Sequence, residues 1–154
     1  MREIKYRGGL LKFSVPKQWL EKRETDGAPM FYDARPDAGT LRVQVITMKS
    51  PKPLADDVAV VELAAIPGVD TASIQRLQGG NAIATSIRHS SDQGRPITTF
   101  WWYVANPVPP SHLRIANFSY TVLRAQEGSA AVKREVQLLT DSVRHSVFHP
   151  TLTP

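Results

Sequence analysis

Cysteine is absent from this chain of 154 residues. That excludes disulfides, Cys-ligated zinc, Cys-held iron–sulfur clusters, thiol catalysis and Cys lipidation. It leaves the redox compartment open, because a chain without thiols is stable in either state. Long apolar runs are absent too, and the longest fall well short of the ~18 residues that cross a membrane as a helix. Residues 1–9 carry charge with no apolar run of about 7–15 residues behind them, so no secretory signal is read and the cytoplasm is the expected compartment. Acid is in short supply, with 14 Asp and Glu against 19 Lys and Arg, a formal net charge of +5. The basic residues form no run longer than a pair such as Lys22-Arg23, and no RNP-type aromatic signature accompanies them. Dispersed cations read first as surface charge and second as an anionic partner surface, with no specific nucleic-acid binding expected.

Against those absences stand 42% hydrophobic and 21% charged residues, the balance of an ordinary soluble globule rather than a disordered chain. A chain of ~150 residues buries roughly 70% of its unfolded surface, enough for a core without metal or disulfide. One domain, residues 1–154, is expected, with an ordered core over about 11–148 and short tails at each end.

Alternating apolar and polar residues predict a short strand over 11–15, stopped at Pro16, and a turn of helix at Trp19 and Leu20. Residues 30–33 form a second strand and 35–39 a turn. Residues 40–48 form a third strand, with Leu41, Val43 and Val45 on one side and Arg42, Gln44 and Ile46 on the other. Pro51 and Pro53 break it and open a helix whose stripe is Leu54, Val58, Val61 and Ala65, with Asp56 and Asp57 in its first turn. Strands over 73–78 and 81–90 flank Gly79-Gly80 as a tight hairpin. Strands over 97–105 and 112–123 follow, separated by a stiff loop at 106–110. A helix over about 129–147 closes the chain, with Val132, Val136, Leu139 and Val143 inward, and 151–154 read as a frayed tail.

Four consecutive strands with short turns are antiparallel neighbours. The strand with Phe100, Trp101, Trp102, Tyr103 and Val104 is apolar on both faces, so both faces of its sheet are covered. The expected fold is α+β: an α/β/α sandwich around a largely antiparallel sheet of six to seven strands, with one long helix on each face.

The pattern Phe13-Ser14-Val15-Pro16 with Trp19, then residues 39–43, Trp102-Tyr103-Val104, residues 118–121 and the closing Ser142-Val143-Arg144 with Phe148 resembles the PsbP-like family. That group also takes in a Ran-binding nuclear import factor, DcrB-type proteins and bacterial chaperones for type VI secretion effectors. The resemblance spans residues 11–148 and implies a module that docks onto other proteins, with no shared catalytic centre. A lipobox Cys and a transit segment are missing, and the chain is basic. The cytoplasmic bacterial branch, effector chaperones included, is therefore the least contradicted.

Constellations that could carry chemistry have plainer accounts. His145 and His149 are spaced for one helical face but have no acidic residue nearby to complete a metal site. His89, Ser90, Ser91 and Asp92 adjoin on a strand end and turn, so they point apart rather than converge as a triad. Gly79-Gly80-Asn81 leads into a strand, not a helix, and forms no phosphate loop. No catalytic residue, metal or cofactor is therefore assigned. The leading expectation is a non-enzymatic protein-binding module, a chaperone or adaptor whose partner is another protein. The alternative is a binder of a small anionic or lipid-like ligand inside the sandwich. Arg42, Trp102, Arg114 and Tyr120 are the candidate partner-binding residues, because Arg, Trp and Tyr are the commonest binding hot spots.

Overall fold

The computed structural model describes residues 1–154. The strands are β1 (Arg2–Tyr6), β2 (Leu11–Val15), β3 (Leu20–Arg23), β4 (Pro29–Tyr32) and β5 (Thr40–Lys49). Helix α1 (Val58–Ala64) follows, then β6 (Asp70–Arg76), β7 (Ala82–Asp92), β8 (Arg95–Val108) and β9 (His112–Leu123). The chain closes with α2 (Ala130–Arg144) and the two-residue β10 (Val147–Phe148). A seven-stranded sheet runs β3-β4-β5-β9-β8-β7-β6, and a three-stranded sheet runs β1-β2-β10. Every neighbouring pair is antiparallel.

Residues on successive strand positions face opposite ways, and β8 is apolar at both. Trp102 and Val104 point to one face with Phe118, Tyr120, Leu41 and Val43, where α2 and the small sheet cover them. Tyr103 and Ala105 point to the other with Leu113 and Ile115, under Ala59 and Leu63 of α1. The larger core is knit by edge-on aromatic contacts, Phe13 meeting Phe31 at 5.7 Å and Phe118 at 5.3 Å between ring centres.

Helix α2 starts where the Ser129 hydroxyl accepts the Val132 N–H at 3.2 Å. Its stripe lands largely as expected, with Val132, Leu139 and Val143 buried and Val136 half-buried. The Trp102 indole N–H also donates to Thr140 at 3.0 Å, fixing the helix along the sheet.

The sandwich is thus α+β, but it is not flanked by one long helix on each face. Helix α1 has only seven residues. Its buried residues are Ala59 and Leu63, not the expected stripe, and Val61 is exposed. Residues 54–57, Asp56 and Asp57 included, precede the helix, and the Leu54 N–H is donated to the Pro110 carbonyl at 2.8 Å. The expected helical turn after Trp19 is strand β3, paired from Leu20 opposite Tyr32. Residues 2–6, expected as a tail, pair with β2, and Phe148 pairs with Leu11. The first is a hairpin across residues 7–10, with Ile4 and Tyr6 turned inward in alternation with Glu3 and Lys5; only the second joins segments far apart in sequence and leaves no local signal.

The glycine hairpin is also looser than expected: Arg76 pairs with Ala82, with five residues between them. By contrast, Gln93-Gly94 makes a two-residue turn, both in left-handed conformation. Pro107, expected in a loop, lies within β8, past the point where β7 ends opposite Ala105. There β8 has one neighbour only, so the missing N–H costs little.

Leu139 is 1% exposed at the centre of the helix–sheet contact. Leu139→Ala is expected to lower stability by about 2–5 kcal/mol, measured as a shift of the urea midpoint at unchanged slope. At residue 39 a Cβ would lie 2.4 Å from the Tyr120 ring. Gly39→Ala is expected to cost about 1–3 kcal/mol, and in a double-mutant cycle that cost should shrink in the Tyr120→Leu background, which is itself destabilised but leaves the space open.

Candidate functional site

The sheet is not evenly covered. Strand β4 pairs with β5 at three positions only, Tyr32 with Thr40, Phe31 with Leu41 and Met30 with Arg42. The next residue back is Pro29, which has no N–H to extend the ladder. Strand β5 runs on to Lys49, bonded there to β9 alone.

At this step in the sheet lies a cleft of about 570 Å³. One wall is the end of β1 and the turn after it, residues 4–8; another is the β3–β4 hairpin. Arg42, Gln44, Asn117, Ser119 and Trp101 also line it. The last five follow from register. Arg42 pairs with Ser119 and Ser119 with Trp101, making one row across the sheet; Gln44 and Asn117 begin the next. Because α1 is short and sits over β6, β7 and β8, these rows stay open. Trp101 is half-buried, stacked on Tyr103 at 5.8 Å between ring centres, with the Arg88 guanidinium 5.8 Å over its ring.

Charges in the cleft are unevenly matched. Arg42 donates to Glu24 at 2.5 Å, and Arg23 lies 3.7 Å from Glu21 and donates to the Gly27 carbonyl at 3.0 Å. Asp26 accepts the Ala28 N–H at 2.9 Å. Lys5 and Arg7 have no carboxylate partner, and Arg7 sits 5.2 Å over the Tyr6 ring.

Of the four residues nominated from sequence, only Arg42 reaches this cleft. Trp102, Arg114 and Tyr120 are 2%, 1% and 0% exposed and face the α2 side of the sheet. They do not form a surface with Arg42, because each lies one position out of phase with the open face. The tryptophan at the cleft is Trp101. Nothing local separates the two neighbours; only the β5–β9–β8 register does.

Arg114 is a structural cation. It donates to the Asn106 side chain at 2.9 Å and to the carbonyls of Thr151 and His149 at 2.9 and 2.5 Å, with Phe148 beneath it. It thereby ties down the segment expected to fray. Burial alone pulls its pKa below the ordinary value.

Tyr120 belongs to the most concentrated polar group in the core. The buried Glu135 carboxylate accepts two bonds from Arg35, both at 2.7 Å, and one from the Tyr120 hydroxyl at 2.8 Å. Arg35 also donates to Asp33 at 2.9 Å. Carboxylate, phenol and guanidinium could serve acid–base chemistry, but they do not line the cleft and bond to one another. The histidines are dispersed. His89 meets Glu127 at 2.8 Å on the exposed hairpin, His145 bonds the Asp141 carbonyl, and His149 bonds Thr151. No three His, Cys, Asp or Glu side chains converge to hold a metal.

No family model matches the chain, and no curated protein matches it in sequence. Solved structures do share its fold. A protein from Bacteroides thetaiotaomicron VPI-5482 aligns with TM-score 0.64 at 15% identity over 96% of this chain and 48% of that one. This chain spans about half the length of that protein. LpqN of Mycobacterium tuberculosis, involved in cell envelope biogenesis, aligns with TM-score 0.61 at 16% identity, covering 91% of this chain and 83% of LpqN. The Saccharomyces cerevisiae Ran-binding protein Mog1p aligns with TM-score 0.54 at 13% identity, covering 99% and 95%. These structures fall in the Mog1/PsbP-like fold group, and at such identities the likeness establishes the fold alone.

The buried tyrosine gives a test of the core polar group. Burial first, then the adjacent Glu135 carboxylate, pushes the Tyr120 phenol well above its ordinary 10.0. Above pH ~10 the unfolded chain loses this proton while the folded chain keeps it, so the unfolded state is favoured as pH rises. The stabilising contribution is complete below pH ~10 and fades above it. Relative to Tyr120→Phe, the wild type is expected to lose up to about 1.4 kcal/mol per pH unit above pH ~10. Urea unfolding at pH 8 to 11 measures the difference.

Proposed function

We propose that the chain is a non-enzymatic protein-binding module, a single domain that acts as an adaptor or chaperone for another polypeptide. The observation that carries this is the open, mostly polar cleft beside an incompletely paired strand, with Trp101 half-exposed and Lys5 and Arg7 unmatched. Half-buried aromatics beside arginine are the usual anchors of protein interfaces. The Ran-binding character of Mog1p, a protein of the same fold group, supports the class of function. The sequence resemblance favours a cytoplasmic bacterial setting and a secreted effector as cargo. No helix is long and apolar enough to cross a membrane.

A second function, capture of a small anionic ligand, rests on Lys5 and Arg7, which line the cleft without a carboxylate partner. A lipid-like ligand has less support, since only 6 of the 19 lining residues are hydrophobic.

Affinity capture from host lysate at physiological ionic strength separates these. A specific protein is expected, and its affinity should fall by roughly 30-fold in Trp101→Ala, the ~2 kcal/mol of an interface hot spot. Nucleic acid held at low salt should wash off near ~0.15 M, as charge-driven binding does. Reproducible recovery of a small ligand or nucleic acid with no specific protein would overturn the adaptor function.

A further inference from the structure

We propose that the free outer edge of β5, residues 43–49, takes up an extended segment of the partner protein as an added antiparallel strand. That segment is apolar toward its N-terminus and acidic at its C-terminus. The proposal rests on the protein-binding function above and names the chemistry of the partner.

The edge itself selects an extended backbone. Residues 43–49 span about 23 Å of strand at ~3.3 Å per residue. Every second residue there presents an N–H and a C=O outward, and no backbone partner meets them. Only another strand offers donors and acceptors at that repeat. The edge has none of the usual protections: no proline interrupts 43–49, and the single Lys49 stands at its end. The opposite edge of the sheet, β6, is protected by an irregular register between Asp70 and Gln75.

Direction follows from β4. It already occupies this edge in antiparallel sense up to Arg42 and stops at Pro29. A strand continuing the same line has its C-terminal end beside residue 43. There it meets Lys5 and Arg7, which no carboxylate pairs, whereas Glu24 and Glu21 are held by Arg42 and Arg23; Asp26, bonded to the Ala28 N–H, still leaves this end with a net charge of +1. At the other end Ile46 and Met48 are 45% and 37% exposed. Beside Met48, Leu54, Val58 and Leu113 line a recess of about 440 Å³ that also carries Lys49 and Glu62, so it has no net charge. Acid is favoured at the first end and apolar side chains at the second.

A second copy of the chain fits less well. Two β5 edges paired antiparallel would set Lys5 and Arg7 of one copy toward Lys49 of the other, like charge against like charge.

The probe is a library of peptides of about ten residues, apolar and Thr alternating, ending in Asp or Glu, with a charge-reversed library as control. Binding is followed by fluorescence anisotropy and by amide hydrogen exchange on the intact chain. Acidic members are expected to bind and to slow exchange at alternate residues within 43–49 by at least about tenfold. Lys5→Glu with Arg7→Glu, both on the surface of the cleft, should weaken binding by about tenfold or more, and N-methylation of alternate peptide amides should abolish it. The proposal is overturned by slow exchange at the outward-facing amides of 43–49, those not bonded to β9, in the dilute free chain, or by protection of them that rises with chain concentration alone and marks a second copy. Peptide binding without protection of 43–49, or no binding by the acidic library, overturns it as well. A captured partner that depends on Trp101 but leaves 43–49 unprotected would retain the adaptor function while removing this edge from it.

Discussion

Glu135 is a carboxylate in the wall of the larger core, and the layers of the molecule meet through it. It receives Arg35 from the turn before β5 and Tyr120 from the middle of β9, while its own backbone belongs to α2. Three elements distant in sequence are thereby held at one point. A buried carboxylate is tolerable only when its oxygens are satisfied and its charge is matched. Here both conditions hold, with Arg35 reaching water on its far side. Tyr120 can stand close to the turn because residue 39 is glycine. Trp19 then stacks on Tyr120 at 5.8 Å, extending the same ordered region to the loop before β3. A polar group of this kind adds geometric specificity that apolar packing alone lacks: it sets where the helix lies on the sheet.

The covered side of the sheet leaves its reverse only partly clothed. One side has α2, the small sheet and the aromatic core. The other has a helix of seven residues that packs on alanines and leaves Arg42 and Trp101, on either side of the buried Ser119, in contact with solvent. The short β4 adds an uncovered edge to an uncovered face. The uncovered edge follows from a local restriction: Pro29 ends the ladder on β5. Open backbone, an aromatic ring and unmatched cations then occur in one cleft with no catalytic constellation.

Much of this architecture was legible in the residues. The strands over 40–49 and 112–123, the closing helix and the two-sided burial of β8 follow from periodicities of 2 and 3.6, which are local properties. The phase of α1 was not legible, because Leu54, Val58, Val61 and Ala65 make as good a stripe as the one that packs, and only the alanine-lined sheet selects Ala59 and Leu63. β1 carried a short alternation, Ile4 and Tyr6 inward between Glu3 and Lys5, that the charged start of the chain masked, whereas β10, with two residues, is defined by its partner alone. The nominated site shows the same division. Arg42, Trp102, Arg114 and Tyr120 are of the right chemical types, yet three of them serve the core.

By itself the sequence determined composition-level and period-level facts: a folded α+β chain without thiol chemistry, strands of known alternation, and one amphipathic helix. Tertiary structure alone decided which alternate of each strand faces water. A one-residue change of register exchanges every inward side chain for an outward one while leaving the alternation intact. That is why Trp101 and not Trp102 stands at the cleft, and why Arg114 is buried against the C-terminal segment instead of facing solvent.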